Sequence, residues 1–202
     1  MSKLAHKPHP NRAGRNPMKR RQWLEGLALA ALGAAWNAAR AQGGVAVTGA
    51  VRSIAVLDVE LVDDQNNPHT KAAQDVRLRN ASLQLRQELA ERRLYAVVDA
   101  VPSQALQERL RAQQEFLYRC DDCAAQVGAL LQADLVMTPW VQKVSELILN
   151  FNVQIYDTKA GKVIFSKSVD MRGNEDQSWL RAVRYLVRDM AEKRERNPRY
   201  GL

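Results

Sequence analysis

The sequence contains few of the side chains on which metal sites and many nucleophilic enzymes depend. It has two cysteines and three histidines, and His69 is the only histidine beyond residue 41. Structural zinc takes about four ligands, mostly Cys and His, and a catalytic serine usually needs a histidine as its base. The sequence also lacks a serine nucleophile elbow and a glycine-rich phosphate loop. We therefore predict no catalytic residues, no metal and no cofactor, and we expect a protein that is not an enzyme.

The positive charge of the chain is concentrated near its start. The whole sequence has 30 basic and 22 acidic residues, which gives a formal net charge of +8. Residues 1–41 contain eight of the basic residues but only one acidic residue, so the remainder has 22 basic and 21 acidic residues. A nearly neutral domain lacks the excess of basic residues expected of a nucleic-acid-binding protein. We therefore predict no nucleic-acid partner.

Residues 1–41 have the three parts of an export signal. A basic stretch at Met18–Arg21 precedes an uncharged run rich in Ala and Leu at Leu27–Trp36, and Ala39–Ala41 forms a small-x-small cleavage site. The uncharged run is too short to span a bilayer. We predict cleavage after Ala41, a periplasmic location and no transmembrane segment in the mature chain. The alternative interpretation is an N-terminal amphipathic helix that belongs to the domain.

The basic stretch leaves the export route and the start of the protein open. Arg20 and Arg21 are followed by Gln, Trp and Leu, an order that resembles a twin-arginine signal. An ordinary signal peptide can also contain two adjacent arginines, so both routes fit. The true start is either Met1 or Met18, because the first 17 residues read as a long basic extension.

Beyond the signal we predict a flexible entry at 42–51, one α/β domain at 52–191 and a charged tail at 192–202. Residues Ser53–Leu61 are apolar on both faces at the start, which is typical of a central strand. A long helical pattern follows and ends near Arg93, and a short strand comes next. Strand, helix and strand in this order predict a βαβ-like opening with two parallel strands.

The second half of the domain predicts an antiparallel meander of about three strands. Residues 134–141 form the first strand, in which Pro139 favours an edge position or a bulge. Apolar and polar residues then alternate through 147–155 and again through 163–171, on either side of a Gly-containing turn. A final helix has Trp179 on its apolar face. The fold class is therefore α/β (α+β), a single domain of two or three layers that ends in a helix.

Cys120 and Cys123 are the clearest chemical feature of the exported part. Two cysteines three residues apart in an oxidising compartment are expected to form a disulfide, here at the start of a helix with Asp121 or Asp122 at its N-cap. Ala124 stands where haem attachment needs His. Two interpretations remain: a structural disulfide, or a thiol-disulfide exchanger in which the helix N-terminus activates the first cysteine.

Two polar segments are candidates for a contact surface. The segment from Gln142 to Ser145 is polar and exposed enough to form a contact loop, and the step from the last strand to the last helix is crowded with polar side chains. The alternative interpretation is an ordinary turn and a helix start in which Asn174 caps the helix and Arg172 pairs with an acid. The candidates are Gln142, Lys143, Ser145, Arg172, Asn174, Glu175 and Asp176.

A third candidate is Asp58, which lies near the end of the first strand. Open α/β sheets often bind ligands at this rim, so a small-ligand site there is one interpretation. The other is a carboxylate that fixes the following loop.

Several motifs together resemble a known family. Trp140–Ser145, Leu147–Asn150 and Val169–Trp179, with the cysteine pair and Arg93–Asp99, are similar to exported bacterial proteins of a family of unknown function, DUF3280, also labelled DUF2380. Glu146 and Met171 depart from its pattern, where Asn and Ile are expected. The resemblance covers about residues 53–190.

The first strand and helix are also loosely similar to the N-terminal domain of TolB and to the curli-secretion CsgG group, α/β domains that act through protein contacts. These resemblances imply a non-enzymatic periplasmic binding or assembly domain. Its partner would be an envelope or exported protein, for example of a quinoprotein dehydrogenase system. The alternatives are a periplasmic thiol-redox protein and a small-ligand-binding protein.

Overall fold

A computed structural model describes residues 51–202 of the chain. The predicted export signal at 1–41 and the predicted entry segment up to residue 50 lie outside the described residues. Within 51–202 the chain forms a mixed sheet of six strands with four α-helices, which confirms the predicted α/β class and the single domain. None of these helices is both long enough and apolar enough to cross a membrane.

The sheet combines a parallel part with an antiparallel part. Its strands are β1 (Ser53–Val56), β2 (Glu60–Asp63), β3 (Ala96–Val98), β4 (Leu135–Lys143), β5 (Ile148–Asp157) and β6 (Lys162–Arg172). The order is β3-β1-β4-β5-β6, and β2 also pairs with β4. β1 is parallel to β3 and to β4, whereas β4, β5 and β6 are antiparallel. The predicted βαβ-like opening and the predicted meander are both confirmed.

The first predicted strand is interrupted, and the interruption explains a proline. β1 pairs with β4 only as far as Met137, and β2 resumes the pairing at Trp140. Pro139 therefore lies opposite the gap between β1 and β2, where its missing N–H costs no ladder hydrogen bond. The prediction that Pro139 marks an edge or a bulge of its own strand is wrong, because β4 is a central strand and the irregularity belongs to its neighbour.

The helices lie in two layers on opposite faces of the sheet. They are α1 (Pro68–Glu91), α2 (Gln104–Arg111), α3 (Cys123–Leu131) and α4 (Asp176–Arg196). One core cluster joins α1 and α4 to strands β1, β4, β5 and β6, and a second joins α2 and α3 to β1 and the first half of β4. The domain thus has three layers at the parallel end, while the outer face of β5 and β6 carries mainly polar side chains.

The alternation in β5 and β6 produces the larger core. Leu149, Phe151, Val153 and Ile155 are fully buried beneath α1 and α4, and Trp179 is fully buried on the apolar face of α4. Burial of each such side chain contributes about 1.5–3 kcal/mol. The alternation predicts which residues of β5 point inward, because successive side chains of a strand point to opposite faces of the sheet and only one face of β5 is covered.

Helix α3 lies unusually close to the turn between β5 and β6. A Cβ atom placed on Gly128 would lie 2.3 Å from Cγ2 of Thr158, a distance at which side chains must move. The Thr158 hydroxyl donates to the carbonyl oxygens of Ala133 and Asp134 at 2.9 Å, so the methyl group is fixed against the helix. The glycine therefore allows the close approach of helix and turn.

The C-terminal residues pack against the domain. α4 continues to Arg196, past the predicted domain end at 191, and the ring of Tyr200 packs edge-on against Phe165 at 5.2 Å between centroids. The Tyr95 hydroxyl donates to the carbonyl of Gly201, and the Arg194 guanidinium lies 4.5 Å from the centre of the Tyr95 ring. The segment 192–202, which the sequence suggests is a charged tail, is thus bound both to Tyr95 beside β3 and to Phe165 on β6.

Candidate contact surface at one end of the sheet

Two segments that are distant in sequence meet where β4 and β6 end. The loop between β4 and β5 contacts the loop between β6 and α4 through its backbone. Gly173 N donates to Leu147 O at 3.0 Å, and Asn174 N donates to Glu146 O at 2.8 Å. The structure therefore brings together the two predicted candidate segments. We call the exposed and half-buried residues around this junction the hairpin surface: Gln142, Val144, Ser145, Leu147, Ile148, Arg172, Glu175 and Asp176.

A buried ion-pair network lies beneath the hairpin surface. The Lys143 ammonium donates to Asp63 Oδ2 at 2.8 Å and contacts Glu146 Oε1 at 2.6 Å, and none of the Lys143 side chain is exposed. Gln74 Nε2 of α1 also donates to Asp63 Oδ2, at 3.2 Å. Lys143 and Asp63 together thus connect β2, α1 and the loop between β4 and β5.

The network continues from the loop to α4. The Asn174 amide donates to Glu146 Oε2 at 2.9 Å, and Asn174 Oδ1 accepts from the indole N–H of Trp179 at 2.9 Å. Asn174 is buried and Trp179 is fully buried. The side chains of Glu146 and Asn174 are therefore both bonded to buried partners, which fixes the loop conformation.

The charges of this network stabilise one another. A hydrogen bond from Lys143, with a second from Asn174, holds the pKa of Glu146 below its usual value. Burial alone would raise the pKa of Asp63, but hydrogen bonds led by that from Lys143 outweigh burial, so this pKa is also lowered. Burial opposes the charged form of Lys143, yet its bonds to Asp63 and Glu146 raise its pKa. All three groups are ionised near neutral pH.

Two predicted surface residues have different roles in the structure. The prediction that Lys143 is part of an exposed loop is wrong, because its ammonium is buried between two carboxylates. The prediction that Asn174 caps α4 is also wrong: Glu175 occupies the N-cap position, and the Asn174 side chain is bonded to Glu146 and Trp179. Lys143 instead binds Asp63 and Asn174 binds Glu146, and each of these partners is distant in sequence.

The other candidates surround the junction. Gln142, Arg172, Glu175 and Asp176 are exposed, and Ser145 is half-buried. The Ser145 hydroxyl lies 3.2 Å from the backbone N–H of both Leu147 and Ile148, so it accepts from the turn. Asp176 accepts from Arg77 of α1 at 2.7 Å, whereas the alternative interpretation expects an ion pair with Arg172.

Sequence reasoning missed the apolar part of the hairpin surface. Val144, Leu147 and Ile148 are 57%, 72% and 45% exposed, respectively. Leu147 belongs to the same alternation as the buried Leu149, which predicts that it also points into the core. Leu147 lies beyond the part of the hairpin that α1 and α4 cover. Its exposure therefore depends on how far these two helices extend along the hairpin.

Cys120 and Cys123 form a disulfide at the start of α3, as predicted. Cys123 is the first residue of the helix, is buried, and belongs to the smaller core cluster. Asp122 occupies the N-cap position, but its carboxylate accepts from the Gln126 side chain at 2.8 Å instead of capping the backbone. Cys120, Asp122 and Cys123 lie close enough together to be considered as metal ligands. Both sulfurs are joined in the disulfide, so neither cysteine offers a thiolate to a metal.

The aromatic side chains beside the disulfide stack on one another. The rings of Tyr118 and Trp140 are parallel within 4°, with centroids 4.1 Å apart, and the Arg119 guanidinium lies 5.3 Å from the centre of the Tyr118 ring. Trp140 lies on the sheet face covered by α3 and is only half-exposed. Trp140 thus covers part of this sheet face.

At the sheet rim, Asp58 is engaged by a helix side chain. Arg86 of α1 donates to Asp58 Oδ1 at 2.7 Å and to the Val56 carbonyl oxygen at 3.0 Å. A depression of about 490 Å³ lies beside this ion pair. The pairing favours the interpretation that Asp58 fixes the chain after β1.

Comparison with solved structures gives distant similarities. The chain is similar to the LpoB C-terminal domain from Salmonella enterica (15% identity, TM-score 0.41), over 60% of this chain and 83% of that one. It is similar to the PelC dodecamer from Paraburkholderia phytofirmans (14%, 0.40), over 68% and 85%. It is also similar to TolB from Acinetobacter baumannii (10%, 0.43), over 73% of this chain but 29% of that one.

No curated protein sequence matches the chain significantly. A family model does match: that of DUF3280, described as "Protein of unknown function (DUF2380)", aligns with residues 52–190, which is most of the chain. The matched range contains the whole sheet, the disulfide and the hairpin surface. The chain therefore belongs to the DUF3280 family, as its motifs predict.

Proposed function

We propose that this protein is a non-enzymatic accessory domain of the periplasm that binds a partner protein through the hairpin surface. The export-signal pattern of residues 1–41 supports the location. The partner is an envelope protein or another exported protein, and a quinoprotein dehydrogenase system is one candidate source. The absence of a catalytic constellation from the sequence motivates a binding role rather than a reaction.

The exposure of three aliphatic side chains on one loop is the observation that carries this proposal. Val144, Leu147 and Ile148 present apolar surface to solvent at the tip of the hairpin between β4 and β5. Covering a large aliphatic side chain contributes about 1.5–3 kcal/mol. Polar and charged residues surround this group, as at the rim of a protein interface. A partner that covers the tip gains this free energy without rearranging the sheet.

The buried network makes the loop suitable for binding. Because Lys143, Glu146 and Asn174 tie the loop to the sheet and to α4, the loop loses little conformational freedom when a partner binds. A loop fixed in its bound conformation avoids part of the entropic cost of association. The network therefore stabilises the surface that the partner would contact.

Substitution of one exposed leucine tests the proposal. Tagged protein is recovered from periplasm under mild conditions, and the co-purifying protein is identified and re-bound as a purified component. Leu147→Ser should weaken this binding by about tenfold or more, because the covered leucine is lost. Leu83→Ser is the matched control, since Leu83 is 63% exposed on α1, away from the hairpin. Recovery of no partner, or equal binding by both variants, would contradict the proposal.

We further propose that the disulfide is structural rather than a redox centre. Cys123 is buried among apolar residues of the smaller core cluster, such as Leu117 and Val127, and this environment disfavours the thiolate that it would need as the resolving cysteine. The reduction potential of the pair should lie below about −300 mV. A potential near that of periplasmic oxidants, with reduction of a substrate disulfide, would instead support the thiol-redox alternative.

A further inference from the structure

The second half of β6 is an open sheet edge. Within residues 51–202, β5 is the only strand that pairs with β6. The other strands with an unpaired edge, β2 and β3, have four and three residues, whereas β6 runs from Lys162 to Arg172. An unpaired edge exposes a row of backbone N–H and C=O groups that can add another strand. Residues Ser168–Arg172 form this part of the edge.

The register identifies which backbone groups face outward. Gly173 N donates to Leu147 O, and Gly173 and Leu147 continue the antiparallel register of β5 and β6. Because hydrogen-bonded and non-hydrogen-bonded pairs alternate along such a ladder, Ser168, Asp170 and Arg172 direct their backbone groups away from β5. A bond from the Ser178 hydroxyl to Arg172 O at 2.8 Å agrees with this assignment.

The first half of β6 is protected, and the second half is not. The register shifts near Ile155, which interrupts regular pairing at the start of β6. Lys167 contacts Asp189 of α4 at 2.7 Å, and both are largely buried. Bulges and inward-pointing charges are the devices by which proteins block edge pairing. Neither device occurs in Ser168–Arg172.

A groove beside this edge is lined by basic and aromatic side chains. It has a volume of about 550 Å³ and lies between Ser168–Arg172 and the side of α4 that carries Arg181 and Tyr185. Arg181 is exposed and makes no ion pair among the described residues, and the lining also includes Arg172 and the acidic Asp170. Tyr185 is 46% exposed. We call Ser168–Arg172 with Arg181 and Tyr185 the edge groove.

We propose that the edge groove binds an extended acidic segment of a partner protein as an additional strand. Backbone groups at Ser168 and Asp170 would pair with the segment, and every second side chain of the segment would lie on the α4 side of the sheet, where the nearest of them would meet Arg181. Those side chains are acidic because the α4 side is basic. The remaining side chains lie beside Asp170 and are therefore uncharged. This surface shares Arg172 with the hairpin surface but contains none of the aliphatic side chains of the hairpin tip.

A synthetic peptide provides the test. The probe is a fluorescein-labelled octapeptide of alternating Thr and Glu, and the control peptide has Lys in place of Glu. Anisotropy should show that the Glu peptide binds at least about tenfold more tightly and that salt weakens binding. On binding, amide NMR signals of Ser168 and Asp170 should move more than those of Val169 and Met171. Equal binding of the two peptides, or no binding, overturns the proposal.

Matched variants locate the binding on the edge. Ser168→Pro removes an outward N–H without removing a ladder bond to β5, and Ser168→Ala keeps that N–H. The proline should weaken peptide binding about tenfold and the alanine by less than about twofold. If circular dichroism shows that the proline variant is unfolded, Arg181→Glu decides, with the exposed Arg109→Glu on α2 as its control. Leu147→Ser should leave peptide binding unchanged, and unchanged binding by Arg181→Glu overturns the proposal.

Discussion

Replacement of Lys143 by Met should destabilise the domain more than its single charge suggests. The Lys143 ammonium is fully buried between Asp63 and Glu146, and the Asp63 side chain is only 8% exposed. Removing one partner of a buried pair leaves the other charge without compensation, which costs about 3–5 kcal/mol. Gln74 still donates to Asp63, so we expect the lower end, about 3 kcal/mol. For a domain of this size the corresponding fall in Tm is about 6–12 °C.

Lys71→Met is the matched control. Lys71 makes an ion pair of similar composition with Asp75 at 3.2 Å, but 70% of its side chain is exposed. Such a surface pair contributes at most about 0.5 kcal/mol. Urea denaturation followed by circular dichroism compares the free energy of unfolding of both variants with that of the unmodified protein. The two substitutions remove the same atoms, so a difference between them reports burial.

A second substitution separates the ion pair from packing. Asp63→Asn neutralises the carboxylate that Lys143→Met leaves unpaired, so the double variant should be more stable than the sum of the two single effects predicts. The cost of Lys143→Met should also shrink as the pH falls below the pKa of an unperturbed aspartate, about 3.9. Lys143 lowers the pKa of Asp63, and this contribution is lost as pH falls through the folded pKa. If Lys143→Met and Lys71→Met agree within about 1 kcal/mol, the assignment of a buried network is refuted.

Three further outcomes follow from the packing and the charges. Gly128→Ala should cost about 1–3 kcal/mol through overpacking, and Thr158→Ser should restore most of it because the clashing methyl is removed while the hydroxyl stays; denaturant melts check both. The free energy of unfolding should decrease as the pH drops below about 4. The hydrogen bond from Arg52 holds the pKa of Asp157 below its usual value, and this stabilisation is lost as the pH falls through the folded pKa. Arg52→Gln should make the free energy of unfolding less dependent on pH in this range. Tyr95→Phe should cost about 1 kcal/mol and increase exchange of the C-terminal amides, since the tyrosine hydroxyl no longer binds the last residues.

The sequence predicts those parts of the fold that depend on local pattern. Alternation in β5 and β6 identifies inward residues such as Phe151 because the side-chain period of a strand needs no knowledge of its neighbours. The place of β4 in the sheet is different, because it depends on pairing with β1 and β2. The chemistry of Pro139 alone predicts an edge position or a bulge, but the gap in the neighbouring strand removes the conflict.

The candidate site also depends on contacts that local sequence patterns do not predict. The polar residues of the two segments mark them as candidates in the sequence. The structure brings the two segments into contact. Whether a polar residue faces solvent depends on partners far away in sequence: Asp63 is 80 positions from Lys143, and Glu146 is 28 positions from Asn174. Leu147 illustrates the converse, since its period predicts burial and the extent of the covering helices decides exposure.

The contact between Tyr95 and Gly201 has a consequence for the order in which the domain folds. It joins residues 106 positions apart, from the edge strand β3 to the last residues of the chain. Contacts of such long sequence separation slow folding, because the loop must close before the contact stabilises it. The parallel edge of the sheet therefore stays incomplete until Gly201 reaches Tyr95. Loss of this contact would leave the start of β3 without the segment that packs against it.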